Sequence, residues 1–404
     1  MIRFQEYLTE AAGKNLHLEH IEDEILNNGI NGGRAAINFV QSLRDMLAGD
    51  AKTSVNVSTK WDGAPAIFAG TDPSDGQFFV AKKSVFNKNP ILYKKESDID
   101  VSGDLGDKFK VALKEFSKLD IKGVLQGDLL YTTPLDSSIS DHWTFQPNTI
   151  MYAVPKDSDI GKKISKSKIG IVWHTTYSGD TLEDMSASFG MSQPLKRTST
   201  VWHTNADYKD VSGSAKMTAA ETTKVTQDLS EAGKTFRKIN SSKMREWSPL
   251  QNTLPASAQW KTYQNSLIKN QIKFRGGRNQ VADYFKFVHE AFLKITATKK
   301  TEKSKKQWTE RKEQYFKELR RHTSNMVAVT EFMGHIVNAK LKILSKLNSI
   351  KQLGISTFVK TADGFKVTTP EGYVVADSTQ KAVKLVDRLE FSFNNFTAQK
   401  NWDK

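Results

Sequence analysis

Residues 54–70 read SVNVSTKWDGAPAIFAG, and this stretch decides how the rest of the chain is interpreted. The alternating residues at 55–59 predict one strand, and the apolar run at 66–69 predicts another. Asp62-Gly63 between them is typical of a hairpin turn, so we expect strand, tight turn, strand. The backbone would fix the position of Lys60 at the start of that turn. Without partners elsewhere in the chain, the same pattern describes a plain hairpin with one exposed lysine.

The composition limits the classes of protein to which the chain can belong. Its 404 residues exceed one ordinary core, which predicts two or three domains. The absence of cysteine excludes disulfides, thiol catalysis and thiolate metal sites. No apolar run approaches the ~18 residues of a membrane span, so we expect no membrane partner. The net charge of +14 favours nucleic acid or nucleotide phosphates as partners, with a generally basic protein as the alternative.

The chain divides by pattern into an α+β part and a helical part. We predict N-terminal helices over 11–52, with a break at Gly29 to Gly33. Residues 53–205 alternate between strand and helix patterns, and residues 206–350 are helical and basic. Strand patterns return over 351–404. The helical region is therefore predicted to be an insertion into one α+β domain.

The first ten residues resemble the short capsid-targeting leaders of internal virion proteins in large tailed phages. The matching segment is FQEYLTE, residues 4–10. The resemblance implies cleavage after Glu10 and a location in the capsid interior, the host cytoplasm, or both. The alternative is the first turn of an amphipathic helix, since Phe4, Tyr7 and Leu8 share one helical face.

Positive charge is dense around residues 299–321, where aromatic residues are interleaved with it. The candidate nucleic-acid-binding residues are Lys299, Lys300, Lys305, Lys306, Arg311, Arg320 and Arg321. Trp308, Tyr315 and Phe316 would supply rings on which bases stack, beside cations that follow a phosphate backbone. The alternative is a helix whose aromatic side chains face the core and whose lysines are solvated.

Five segments in order resemble the motifs of the covalent nucleotidyltransferase superfamily, which includes ATP-dependent DNA ligases, RNA ligases and mRNA capping enzymes. Lys60-Trp61-Asp62-Gly63 resembles motif I. The segment LQGDLL at 125–130 resembles motif III, and IGIVWH at 169–174 stands where an aromatic strand follows. PEGYVV at 370–375 resembles motif IV, and AVKLV at 382–386 resembles motif V.

This resemblance implies an α+β fold with antiparallel sheets, and it implies ATP and Mg²⁺ as cofactors. In the family, the motif I lysine attacks the α-phosphate and carries the nucleotide as a phosphoramidate. The implied catalytic residues are Lys60, Asp62 and Lys384. The implied nucleotide-binding residues are Thr59, Gly63, Asp128, Trp173, Glu371 and Lys83, with Asp128 and Glu371 also as metal ligands.

Elementary chemistry agrees with these roles. A lysine with a pKa of ~10.4 is mostly protonated at neutral pH, so a second cation such as Lys384 and partial burial would favour its nucleophilic form. Carboxylates are suitable ligands for Mg²⁺ or acceptors for ribose hydroxyls. Trp173 or Tyr152 would stack on the base.

Three positions depart from the family pattern. Pro65 stands where ligases carry an arginine, so a phosphate contact must come from Lys82 or Lys83. Asp128 replaces the usual glutamate, and Val386 replaces a second lysine. The most favoured function is a polynucleotide ligase acting on RNA or DNA ends. The alternatives are a nucleotidyltransferase that modifies a host target and a catalytically inactive, nucleic-acid-binding virion protein.

Overall fold

The computed structural model describes residues 20–49, 56–135, 141–205, 217–348, 356–361, 364–367, 372–376 and 382–397. The leader predicted at 1–10 lies outside these ranges. The α-helices are α1 (Glu24–Ala48), α2 (Gly103–Phe116), α3 (Asp159–Ile164), α4 (Ala219–Phe236), α5 (Ser241–Thr253), α6 (Trp260–Lys269), α7 (Gly277–Ala297), α8 (Glu302–Arg321), α9 (Thr323–Asn348) and α10 (Arg388–Thr397). Short 3-10 helices lie at Ile21–Asp23, Lys83–Phe86, Glu96–Asp98, Ser117–Leu119 and Ala256–Ala258.

The described strands form three sheets. They are β1 (Asn56–Lys60), β2 (Ala66–Thr71), β3 (Phe78–Ala81), β4 (Val124–Thr132), β5 (His142–Phe145), β6 (Ile150–Pro155), β7 (Ile169–Ser178), β8 (Ser186–Phe189), β9 (Val201–Asn205), β10 (Ser356–Thr361), β11 (Gly364–Val367), β12 (Gly372–Ala376) and β13 (Ala382–Leu385). The central sheet has the order β3-β2-β4-β7-β8, and β9 pairs with β7 in parallel. The other two sheets are β11-β10-β6-β5 and β1-β12-β13. Apart from β7–β9, the pairings among these strands are antiparallel.

The hairpin predicted at Asp62-Gly63 is wrong. β1 and β2 are consecutive in the chain but lie in different sheets. The segment between them runs along β4: the Ala64 amide donates to the Leu129 carbonyl (2.9 Å), and the Leu129 amide donates to the Pro65 carbonyl (3.0 Å). Because the segment finds its backbone partners in β4, it crosses from one sheet to the next and does not fold back.

One face of the central sheet is covered by α2. Ile67, Leu125 and Trp173 from the sheet pack with Phe109 and Phe116 from the helix, and all five are buried. This apolar layer fixes which side of β4 and β7 faces the core. Since neighbouring residues of a strand point to opposite faces, it also fixes which side chains lie on the other face.

Helices α4 to α9 share one core with α1. Their buried residues include Leu43 from α1, Val225 from α4, Phe292 from α7 and Phe332 from α9. Gly29 interrupts α1 with φ 60° and ψ −143°, which confirms the break predicted at that glycine. A capping box at the start of α4, between Thr218 and Glu221, satisfies amides that the helix itself leaves unpaired.

The strands that follow the helical region return to sheets that begin before it. β10 pairs with β6, and β12 pairs with β1. This is the pairing expected when a helical region is inserted within one α+β unit. The predicted class, a mixed α+β chain with antiparallel sheets and a helical region, agrees with the structure. None of the described helices is long and apolar enough to cross a membrane.

Candidate functional site

The sheet β1-β12-β13 brings three of the predicted positions together. Lys60 at the end of β1 lies opposite Gly372 at the start of β12, and Thr59 lies opposite Tyr373. On the other side of β12, Lys384 lies opposite Val374. Segments more than 300 residues apart in the chain therefore meet in one small sheet. Glu371, which precedes Gly372, lies outside the described residues.

Gly372 allows this sheet to close tightly. Its φ of 148° is rare for residues with a side chain, and a Cβ there would lie 2.4 Å from the Leu385 carbonyl oxygen. Tyr373 and Leu385 are buried in the helical core, and Val386 joins a second cluster that contains Trp61. The sheet carrying Lys60 is thus packed between the helical core and the second cluster, which contains Trp61.

Gly63 joins this sheet to the central one. A Cβ at Gly63 would lie 2.5 Å from the Asp128 Cβ and 3.0 Å from the Leu129 carbonyl oxygen. Ala66, the first residue of β2, pairs directly with Asp128. Only glycine lets the segment after Lys60 lie this close to β4. The backbone that follows Lys60 therefore passes directly against Asp128.

Asp128 and His174 form a polar pair on the face of the central sheet opposite to α2. His174 Nε2 lies 3.5 Å from Asp128 Oδ1, and the two side chains are 23% and 27% exposed. The other ring nitrogen, Nδ1, is hydrogen-bonded to the Thr175 hydroxyl at 2.9 Å. A partly exposed carboxylate beside an imidazole can accept hydrogen bonds from a ligand.

The predicted role of Trp173 in base stacking is wrong, because the side chain is fully buried. Its ring packs edge-on against Phe116 of α2, with centroids 5.2 Å apart. Tyr152 is also buried, and its hydroxyl accepts a hydrogen bond from the Asp62 amide at 2.7 Å. The next residue along β7, His174, is the one that reaches the face of Asp128. The apolar run at 169–173 has no alternation, so the sequence carried no signal for which face Trp173 would occupy.

Asp62 is a structural carboxylate in this fold, which corrects its predicted catalytic role. It is 4% exposed. Its Oδ2 accepts from the Thr149 amide (2.6 Å), the Thr149 hydroxyl (2.8 Å) and the Ile150 amide (2.7 Å). Its Oδ1 accepts from Asn148 Nδ2 at 2.7 Å. Four donors occupy the carboxylate, so it anchors the segment after Lys60 to the start of β6.

The two lysines considered as phosphate contacts differ in environment. Lys82 pairs with Asp100 at 3.0 Å and lies over the Tyr93 ring. Burial favours its neutral form, but hydrogen bonds with Tyr93 and Asp100 raise the pKa of Lys82 above its usual value. Lys83, at the start of the 3-10 helix that follows β3, is exposed. Of the two, Lys83 is the better candidate for contact with a mobile ligand.

The basic residues predicted from 299–321 do not form one continuous surface. Lys299 and Arg311 lie over the Trp308 ring, at 5.1 and 5.0 Å from its centroid. Lys305 pairs with Glu302 at 2.6 Å, while Lys300 and Lys306 are exposed. Arg320 lies over Phe316 near the other end of α8, beside Arg321, which pairs with Glu318 at 3.0 Å.

The interleaved aromatic residues are half-buried against the helical core, which favours the alternative to their predicted stacking with bases. Trp308, Tyr315 and Phe316 pack against that core, and Tyr315 donates a hydrogen bond to the Thr253 carbonyl at 2.6 Å. These are the contacts that the alternative interpretation of the helix predicts.

Asp128 is the one predicted metal ligand among the described residues. Within the same residues, no three histidine, aspartate or glutamate side chains come close enough to hold a metal ion. Mg²⁺ is often held by one or two carboxylates together with substrate phosphates and water. Asp128, half-exposed and not occupied by amide donors as Asp62 is, suits that kind of site.

The chain belongs to a family of unknown function, DUF6267, which matches residues 15–400. No curated protein and no solved structure matches it.

Proposed function

We propose that the chain is an ATP-dependent nucleotidyltransferase that forms a covalent adenylyl group on Lys60 and passes it to a polynucleotide end. The observation that carries the proposal is the register of β1 and β12, which pairs Lys60 with the glycine of the Glu371-Gly372 motif. Lys384 on β13 pairs with Val374 of β12, and Asp128 on β4 lies against Gly63, three residues after Lys60. The proximity of these four segments in the fold supports the proposal, because the family resemblance implies that they share one site.

The first step forms one bond and breaks one. The neutral Lys60 amine attacks the α-phosphorus of ATP, an N–P bond forms, and the bond to the bridging oxygen breaks to release pyrophosphate. The amine loses a proton in the process. The positive charge of Lys384, half-buried on β13, favours the neutral form of a neighbouring amine and attracts phosphate oxygens. Mg²⁺, when bound, neutralises phosphate charge.

Asp128 and His174 would serve the nucleotide beside Lys60. Asp128 offers a carboxylate oxygen to a ribose hydroxyl or to a magnesium ion. His174, 3.5 Å away, would orient that carboxylate. We therefore assign His174, and no longer Trp173, to the nucleotide-binding side of β7.

In the second step, a 5′-phosphate oxygen of a strand attacks the adenylyl phosphorus, and the N–P bond to Lys60 breaks. A 3′-hydroxyl then displaces AMP and joins the two ends. RNA and DNA both satisfy this chemistry. Transfer of the adenylyl group to a protein or a small molecule in place of a strand is the second form of the proposal.

Incubation with ATP labelled at the α-phosphate, followed by a denaturing gel, tests the first step. We expect wild-type protein to retain label, Lys60→Ala to retain none, and Lys294→Ala, which also loses one lysine charge but lies exposed on α7, to label normally. A wild-type protein without label, or a labelled Lys60→Ala variant, would contradict the mechanism. An unlabelled wild type that still binds nucleic acid would favour the inactive, nucleic-acid-binding alternative.

Sealing of nicked RNA and nicked DNA tests the second step separately. We expect one of the two substrates to be joined in an ATP-dependent reaction. A protein that takes the label but joins neither substrate would support nucleotidyltransferase activity and exclude ligase activity.

A further inference from the structure

A groove on the helical region collects positive charge from four different parts of the chain. It has a volume of about 1030 Å³ and lies between α5, α7, the end of α8 and the start of α9. Its basic side chains are Lys238, Lys243, Arg278, Arg320 and Arg321, and its one acidic side chain is Glu331. We call this surface the basic groove.

The charge of the basic groove is only partly neutralised by neighbouring acids. Lys243 pairs with Glu246 at 3.3 Å and Arg321 with Glu318 at 3.0 Å, and both of these pairs are solvent-exposed. Lys238, Arg278 and Arg320 make no ion pair with other described residues. Exposed pairs of this kind are weak, so an external anion can compete for their cations.

The wall of the basic groove is ordered by a chain of amide hydrogen bonds. Asn325, on the first turn of α9, accepts from the Asn240 amide at 2.7 Å. Asn240 caps α5 by accepting from the Lys243 amide at 3.0 Å. The Asn240 N–H fixes which end of the Asn325 amide faces it. Asn325 is 4% exposed, and its Nδ2 donor has no hydrogen-bond partner. A buried donor without a partner is costly, and this one lies in the wall of the groove.

We propose that the basic groove binds the phosphate backbone of a polynucleotide. Three of its five cations are arginines, whose planar guanidinium matches phosphate oxygens in pairs. Its volume reaches the upper end of what small-ligand pockets occupy, about 300–1,000 Å³, and it is open along the surface. Val281, Ala282 and Phe285 line the same groove, which suits sugars and bases beside a phosphate track.

This surface differs from the one that the linear sequence suggests. Arg320 and Arg321 belong to both, but Lys238, Lys243 and Arg278 come from outside residues 299–321. Lys300 and Lys306 are exposed and do not line the basic groove. A role of the basic groove in holding a strand for sealing rests on the proposed function. Polynucleotide binding itself can be measured without it.

The test compares two double variants of the full chain that each remove two positive charges. Arg278→Ala with Arg321→Ala alters the basic groove, and Lys300→Ala with Lys306→Ala is the matched control. Binding to fluorescein-labelled 30-nucleotide single strands and to the corresponding duplex is measured by anisotropy between 50 and 200 mM salt. If the groove variant unfolds, Lys243→Gln with Arg278→Gln replaces it.

We expect the groove variant to bind at least about tenfold more weakly, and the control to stay within about threefold of wild type. The salt dependence of binding by the groove variant should also fall. Each lost phosphate contact removes about 0.7 from the slope of log binding constant against log salt concentration for single strands, and about 0.9 for duplex. Equal losses in both variants, or an unchanged slope in the groove variant, would overturn the proposal. So would polyglutamate that competes as well as an oligonucleotide of equal charge, since the groove would then be a site for acidic proteins.

Labelling of Lys60 in the same proteins separates this proposal from the proposed function. Both double variants should take label as wild type does, because the basic groove plays no part in the first step. Loss of binding with normal label supports the groove. A wild type without label but with groove-dependent binding would refute the adenylyl transfer and leave the groove intact.

Discussion

Two groups of buried acidic side chains, Asp62 in the sheet region and Glu22 with Asp23 in the helical region, are held in different ways. In the sheet region, Asp62 is held by uncharged donors from three consecutive residues, 148–150. In the helical region, Glu22 is held by the Lys340 ammonium group at 2.8 Å, and Asp23 by Arg388 at 2.8 Å. The Asp62 carboxylate is fixed by uncharged donors 86–88 residues away in the chain, and the other two are fixed by cations more than 300 residues away.

The difference shows which acids remain able to act on a ligand. Asp62 is fully occupied, so Asp128 is left as the half-exposed carboxylate beside the segment that follows Lys60. Glu22 is neutralised by a paired cation, and that pair ties the N-terminal 3-10 helix to α9. Asp128 therefore remains accessible to a ligand, whereas Glu22 contributes to the assembly of the helical region.

The largest expected effect on stability comes from breaking the buried pair of the helical region. Lys340→Met should lower the free energy of unfolding by about 3–5 kcal/mol, because it leaves the Glu22 carboxylate buried without its cation. Urea unfolding of the purified variant measures the change. Glu22→Leu combined with Lys340→Met should recover most of the loss, since neither charge is then buried. A double variant as unstable as the single one would contradict this account.

The next effect separates the two acids of the sheet region. Asp62→Asn should lower the free energy of unfolding by about 2 kcal/mol, because hydrogen bonds to a charged acceptor are worth about 1.5–3 kcal/mol. Asp128→Asn should cost less than ~1 kcal/mol, since its contact with His174 is long and partly exposed. Under the proposed function, Asp128→Asn should also lose most of the Lys60 label. The same loss of stability in both variants would show that Asp128 is structural too.

The smallest effect is a dependence on pH that both regions share. Burial lowers the pKa of His203 on β9 and of His322 between α8 and α9. Below the ordinary value of 6.5, the unfolded chain binds these protons first, so stability falls as the pH drops towards the folded pKa. The melting temperature should therefore be lower at pH 5.5 than at pH 7.5.

Single variants show how much each region contributes to the loss of stability at low pH. His203→Gln should reduce the pH dependence more than His322→Gln, because Glu246, 3.8 Å from His322, partly offsets the effect of burial there. Melting temperatures of the two variants at both pH values provide the measurement. An unchanged pH dependence in both would mean that acidic side chains, and not these histidines, control it.

The sequence predicted much of this organisation correctly. The order of strand, helix and returning strand patterns predicted an α+β chain with a helical region. The break at Gly29 followed from glycine chemistry. The positions resembling motifs I, IV and V lie in one sheet, although Glu371 is outside the described residues. These features depend on local composition and on the order of segments, both of which are written directly in the chain.

The predictions that were wrong all concern where a segment runs or what a side chain faces. Asp62-Gly63 has the composition of a hairpin turn, but the pairing with β4 carries the chain into another sheet. Trp173 and His174 are neighbours in β7, and the packing of α2 decided that the tryptophan faces inwards. Asp62 was predicted to be catalytic, but donors from residues 148–150, remote in the chain, occupy its carboxylate.

By itself, the sequence determined the charge of the chain, the types of its elements and the order of its candidate motifs. Only the tertiary structure decided which of those groups meet. Side chains alternate along a strand and turn by 100° per residue along a helix, so neighbours in sequence diverge in space. For that reason the cations of α8 separate around its axis, while Arg278 and Lys238 join Arg320 from elsewhere in the chain to form the basic groove.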